Sequence, residues 1–238
     1  MEEIGWSSGV DSIPSGTVMT LGDSSPLDTL PFLLTFMNFC LKTPGTTVIF
    51  VSFKTAHTRL SAVMRKLFGY QLSMLTAQGR FSFIGGIDKE ANVLSDEIKR
   101  TVKPASRTII ILESFSLLND LKSCVQMASF ISDLCAESGV NALFQWHRSL
   151  ESDYPGRSEV IREDIELGGR GWLYLLNRSH FCFCARPLRS GATKDAAGEI
   201  VAAFGPKSQE LPSITFHPIA SLYRMPTDTS IQLVRSFK

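Results

Sequence analysis

TVMTLGDSSPLDTLPFLLTFMNFCL, residues 17–41, reads as strand, turn and helix in immediate succession. Thr17 to Leu21 is a short β-strand, and an apolar run with helical character follows from Leu27 to Leu41. The connecting Gly22-Asp23-Ser24-Ser25-Pro26 stands where a phosphate-cradling loop opens an α/β nucleotide-binding domain. Such a loop needs glycine at both ends for close backbone approach, a lysine for the β- and γ-phosphates and a following Ser or Thr for Mg²⁺. Here there is one glycine, no lysine, and an aspartate that repels polyphosphate. The expectation is a scaffold of ATPase type without a nucleotide site of its own, built for assembly rather than solo catalysis.

The elements beyond this segment repeat the strand–helix alternation of a mainly parallel sheet covered on both faces. Thr46–Phe53 is apolar and β-branched, and His57–Phe68 carries Leu60, Val63, Met64 and Leu67 at helical spacing. Phe81–Ile84 is a short strand closed by Gly85-Gly86, and Lys89–Val102 is an amphipathic helix. Arg107–Leu112 (RTIIIL) is a continuous aliphatic run, as expected of a central parallel strand buried on both faces. Ser123–Ser138 is the next helix, and Ala142–Trp146 the next strand. A helix over Glu159–Leu176, interrupted at Gly168-Gly169, leads to strands at Phe181–Leu188, Glu199–Phe204, Ser213–Leu222 and Ser230–Arg235, bounded by Gly, Pro or Asp as hairpins are. The fold class expected is α/β and RecA-like: a central mainly parallel sheet with flanking helices, a C-terminal antiparallel extension and a degenerate nucleotide-binding loop. Residues 1–16 form a lead-in, Gly/Ser/Pro-rich from Ser7, and residues 17–238 a single domain.

With 238 residues and 44% hydrophobic content, the chain is long enough for one large α/β domain with a well-buried core. A formal charge of +1 gives no global drive toward nucleic acid or membrane, so RNA contact would require a local cluster of Lys and Arg. Five cysteines, at 40, 124, 135, 182 and 184, are odd in number and follow no ligand spacing. They read as reduced, buried thiols, with Cys182 and Cys184 on one face of a strand. The acidic start Met1-Glu2-Glu3 is unlike a secretory signal, and Asp28, Pro31 and Asn38 interrupt the longest apolar run. The expectation is a soluble protein of the cytoplasm, or of cytoplasm and nucleus, with no membrane partner.

Glu113, at the end of RTIIIL, has the position of an acid that holds Mg²⁺ or activates water. Without a phosphate loop beside it there is no polyphosphate to bring the metal, so it reads as a strand cap or as a residue facing a neighbouring subunit. The histidines at 57, 147, 180 and 217 are scattered over different elements, and no G-x-S-x-G or similar nucleophile signature occurs. No catalytic residue, nucleotide-binding residue, metal ligand or cofactor is assigned. Basic residues cluster in two predicted loops: Arg148, Arg157 and Arg162 in one, Arg186, Arg189 and Lys194 in the other. Loops so placed in RecA-like proteins often face a central pore or a nucleic-acid strand, where cations contact phosphates without reading sequence. A solvated mixed-charge face is the alternative, since Glu151, Asp153, Glu163 and Asp164 lie among them.

Leu188-Arg189-Ser190-Gly191-Ala192-Thr193-Lys194-Asp195-Ala196-Ala197-Gly198-Glu199-Ile200 is a strand, turn and strand. Asp195 can accept backbone hydrogen bonds within the turn, and Gly198 tolerates positive φ where the chain reverses. The segment resembles the corresponding turn of the sixth subunit of the Elongator complex, the matching positions being Leu188, Gly191, Lys194, Asp195, Gly198 and Ile200; Ala196 stands where that family usually has valine. The preceding Leu175-Leu176-Asn177, the strand from Phe181 to Ala185 and the final Ser230-Ile231-Gln232-Leu233 resemble it in kind and order. The resemblance implies a RecA fold that has lost its nucleotide-binding motifs. It also implies membership of a hetero-hexameric ring with two copies each of the fourth, fifth and sixth subunits, which serves the core Elongator subunits in tRNA wobble-uridine modification. The ring is linked to tRNA binding and ATP-dependent tRNA release, so ATP hydrolysis would belong to the assembly. The fifth Elongator subunit is a close alternative, although it usually lacks this turn. The alternative from another class is a free-standing degenerate recombinase-type ATPase or small-molecule enzyme, which a ligand bound near Glu113 would favour.

Overall fold

A computed structural model describes residues 13–24, 29–103, 106–118, 120–148, 170–188, 197–211, 219–224 and 232–237. Six parallel strands come first in the chain: β1 (Val18–Ser24), β2 (Thr46–Ser52), β3 (Phe81–Gly85), β4 (Arg107–Glu113), β5 (Asn141–Arg148) and β6 (Phe181–Pro187). The antiparallel strands β7 (Gly198–Phe204), β8 (Ile219–Arg224) and β9 (Gln232–Phe237) extend them. All join one nine-stranded sheet in the order β3-β2-β4-β5-β1-β6-β7-β8-β9. The chain is thus α/β with a mostly parallel sheet and an antiparallel C-terminal ribbon.

Strand alternation sends successive side chains to opposite faces, and each face is covered by helices. Ile109 and Ile111 of β4, with Val48 and Phe50 of β2, meet α1 (Leu30–Lys42), α2 (His57–Phe68) and α3 (Leu72–Ala77). Ile110 and Leu112, with Ile49 and Val51, meet α4 (Ala91–Thr101), α5 (Leu121–Ser138) and Leu175 of α6 (residues 170–176). The aliphatic run RTIIIL is therefore buried on both sides, as its composition predicts. Phe183 of β6, with Ile200, Ala202 and Tyr223 of the ribbon, carries the α1-side core outward and packs on Phe32 with ring centroids 5.9 Å apart.

Local chemistry sets the helix ends. Asp120 caps α5 by accepting the Ser123 backbone N–H at 2.9 Å, and Gly139 closes that helix in the left-handed region at φ 66°. Arg80 holds the far end of α1, donating to the carbonyls of Leu41 and Thr43, the orphan acceptors of its last turn.

Three expectations shift. β1 runs to Ser24, so Gly22, Asp23 and Ser24 belong to the strand and not to a loop; they pair in register with Trp146, His147 and Arg148 of β5. The apolar segment becomes helical at Leu30, where Pro31 sits in the first turn. Leu72–Ala77 is a helix that the sequence reading passed over, anchored by buried Leu72 and Leu75. Residues 25–28, 149–169, 189–196, 212–218 and 225–231, which include the proposed helix start at Glu159, lie outside the described residues.

Candidate functional site

The C-terminal ends of parallel strands are where open α/β sheets place ligands. Two buried carboxylates stand there, Asp23 on β1 and Glu113 on β4, each at most 2% exposed. A buried carboxylate needs donors, and each finds them within the chain.

Asp23 Oδ1 lies 2.6 Å from Nδ1 of His147, so that imidazole nitrogen carries the proton and donates. Asp23 Oδ2 accepts from the Thr29 hydroxyl and, at 3.2 Å, from Nε2 of Gln145. Gln145 donates also to Thr29 Oγ1, and its Oε1 accepts the Ser114 backbone N–H at 3.0 Å. Ser114 is in the left-handed region at φ 53°, directly after Glu113. The amide of Gln145 thereby ties the end of β1 to the end of β4. Behind the cluster, burial and then the charge of Asp23 push the Tyr223 phenol up to about 12.

Glu113 faces inward. Its Oε2 accepts from the Ser52 hydroxyl and, at 3.1 Å, from Thr55 N–H; its Oε1 accepts from the Thr55 hydroxyl at 2.5 Å. It stitches the turn after β2 to the end of β4. Asp23 and Glu113 each accept three hydrogen bonds from their own chain. Gly22, on the other face of β1, lies against an indole: a Cβ there would sit 2.7 Å from Cη2 of Trp172 on α6.

The basic candidates divide. Arg186 on β6 pairs with Glu199 of β7, Nε to Oε2 at 2.9 Å. Arg148 is the last residue of β5. Arg157, Arg162, Arg189 and Lys194 lie outside the described residues, as do Ser25, Gly191 and Asp195 of the two motifs. Of the remaining motif positions, Leu188 is half-buried and Ile200 is in the core. Gly198 corrects an expectation. Its φ is not positive; a Cβ there would meet Tyr223 Oη at 2.6 Å and the Arg186 carbonyl at 2.7 Å, so close strand approach explains the glycine.

Cys40, Cys124 and Cys135 are buried and unbridged, and burial pushes the thiols of Cys124 and Cys135 up to about 12. Among the described residues no group of three or more His, Cys, Asp or Glu is close enough to hold a metal ion, and no helix is long and apolar enough to cross a membrane.

One feature escaped the loop-centred reading of charge. From Thr29 to Ile87 there is no Asp or Glu, while Lys42, Lys54, Arg59, Arg65, Lys66 and Arg80 all fall there. The signal was the missing carboxylates, hidden by a whole-chain charge of only +1.

Comparison with solved structures finds the KaiC-like protein of the hyperthermophilic archaeon Pyrococcus horikoshii OT3, with a TM-score of 0.64 over 98% of this chain and 94% of that one, at 12% identity. At that identity the likeness shows the fold, which is RecA-like of the KaiC kind. No curated protein sequence matches the chain. The family model described as Elongator subunit Iki1 matches residues 19–162, from the second residue of β1 past the end of β5, and so includes both carboxylate clusters. The chain belongs to the Elongator subunit Iki1 family.

Proposed function

We propose that this chain is a non-catalytic RecA-like subunit of the hexameric accessory ring of the Elongator complex, supporting tRNA wobble-uridine modification through ring assembly and tRNA binding. The observation that carries the reading is the closed edge at β1 and β4. Where a RecA-like ATPase would hold phosphate and metal, Asp23 accepts three hydrogen bonds from Thr29, Gln145 and His147, and Glu113 three from Ser52 and Thr55. ATP hydrolysis then belongs to the assembled ring, and the chain contributes interfaces and RNA-facing surface. Its partners are two other RecA-like Elongator subunits, and through the ring the core subunits and tRNA.

The Leu188–Ile200 motif favours the sixth position in the ring, whereas the family description names no position. Co-expression with the fourth and fifth subunits, and separately with the fourth and sixth, followed by native mass spectrometry, tests both points. A hexamer containing two copies of this chain supports the reading, and the pair that yields it assigns the position. A monomer in both mixtures, or micromolar ATP binding by the chain alone, overturns it.

A further inference from the structure

We propose that the outer face of α2, with the recess between α2 and α3, is a binding surface for single-stranded RNA, the helix taking the phosphates and the recess one base. This surface is built from other residues than those of the loops around Arg148–Arg162 and Arg186–Lys194. It shares with the ring reading only the premise that RNA is a ligand.

The helix separates its side chains cleanly. Leu60 and Met64 are buried, with Val63 and Leu67 packed on the same core. The opposite arc carries Arg59, Arg65 and Lys66, all exposed, with the small residues Thr58 and Ala62 between them. Among the described residues no carboxylate pairs with any of the three cations, and the 29–87 stretch from which α2 and α3 are drawn contains none. Unneutralised cations along one helix face match the spaced charges of a phosphate backbone, and small residues between them let that backbone come close.

The recess separates RNA from an acidic protein segment as the occupant. It holds about 440 Å³ and is lined by Ser61, Arg65, Tyr70, Gln71 and Ser73. That volume, at the small end of ligand sites, suits one nucleobase. Its chemistry does too: a half-buried phenol ring offers a stacking face, while the Gln71 amide and two hydroxyls offer donors and acceptors to a base edge. Arg65 lines the recess and belongs to the cationic arc, joining base site to phosphate track. An acidic peptide would use the cations and leave the aromatic recess without a role.

The test is fluorescence anisotropy of a labelled single-stranded oligouridylate on the full chain across a salt series. Reversing Arg59, Arg65 and Lys66 to Glu together should weaken binding about tenfold or more, and lower the slope of log affinity against log salt by roughly 2, as three lost single-strand phosphate contacts require. The control triple Lys99→Glu, Arg100→Glu and Lys122→Glu changes net charge equally on α4 and α5, across the sheet, and should leave affinity within about twofold. Tyr70→Leu keeps the packing and removes the ring, so it should weaken oligouridylate several-fold without changing the salt slope. Should the Glu triple melt early, the Gln triple at the same positions is measured instead. Equal losses from both triples, no binding at low salt, or displacement of the RNA by polyglutamate at equal charge with Tyr70→Leu silent, overturns the proposal. None of these readouts needs the ring, so its failure to assemble would leave this result standing, and the reverse holds.

Discussion

Asp23 and His147 are direct register partners on the adjacent parallel strands β1 and β5, and their side chains meet at 2.6 Å beyond the core. The carboxylate is 2% exposed while the imidazole side chain is 45% exposed, so the pair closes the sheet edge with its apolar and solvent sides already chosen. The residue that looks, in sequence, like a charge placed to repel phosphate is the hub that locks two strand ends and the start of α1 together.

Asp23→Ala should therefore act on stability. It strands buried donors on Gln145 and Thr29, each costing about 1–3 kcal/mol when unmatched. Together that is about 2–6 kcal/mol, and for a chain of this length the melting temperature should drop by roughly 4–24 °C. Differential scanning calorimetry measures it; a melting temperature unchanged within error would mean that the hub holds nothing.

A second effect depends on pH. His180 is buried, 7% exposed, and its Nδ1 accepts the Val18 backbone N–H at 2.9 Å, so only the unprotonated nitrogen serves. Burial first, and then the Lys207 charge, hold its titration below the ordinary 6.5, against the pull of Glu210. The unfolded state thus binds the proton more readily, and the stabilisation is present above pH 6.5 and lost as pH falls toward the folded value, by at most about 1.4 kcal/mol per pH unit. Denaturant melts at pH 7.5 and 5.5 should show the loss in wild type and a smaller one in His180→Asn, whose Oδ1 can accept the same N–H without titrating. Parallel losses in both proteins would assign the slope to other groups.

Gly198→Ala tests the correction at the family motif. The new methyl would press on the Arg186 carbonyl, which is backbone and cannot swing away, as well as on the Tyr223 hydroxyl. The strain of such overpacking is about 1–3 kcal/mol. Melting should fall by several degrees, whereas a glycine needed only for turn conformation elsewhere would leave Tyr223 packing intact. Tyr223→Phe in the Gly198→Ala background should recover part of the loss, and a double variant no more stable than the single one would sink the close-approach account.

What could be read before the structure follows the range of the interaction concerned. RTIIIL was legible because burial on both faces leaves no alternation to misread, and α2 because Leu60, Val63, Met64 and Leu67 repeat at helical spacing over about two turns. Helix α3, at six residues, is too short for its period to show against the loop around it. The end of β1 was hidden for a different reason. Gly22-Asp23-Ser24 has turn composition, and it is strand because Trp146 and His147, more than a hundred residues later, supply the pairing and the indole of Trp172 fills the space above Gly22. Glu113 reads as a strand-end acid, but its partners Ser52, at the end of β2, and Thr55, in the turn after it, come from another part of the chain. For Gly198 the local sequence suggests a φ requirement, whereas its close partner Tyr223 lies on the next strand.

Glu113→Gln separates a structural acid from a catalytic one in the ring proposed above. The isostere keeps one acceptor and replaces the other with a donor, so the hydroxyls of Ser52 and Thr55 and the Thr55 N–H can no longer all be satisfied. A cost of about 1–3 kcal/mol follows, and the chain should melt lower. Ring ATPase activity should nonetheless stay within about twofold, because a role in ordering the β2 turn puts no group on the reacting phosphate; loss of a true hydrolytic acid costs typically 10²–10⁴-fold. Both quantities are read from one sample, with native mass confirming that the hexamer survives. A ring that keeps its mass and melting temperature but loses ATPase by two orders of magnitude would make Glu113 part of a hydrolytic site and overturn the closed-edge account.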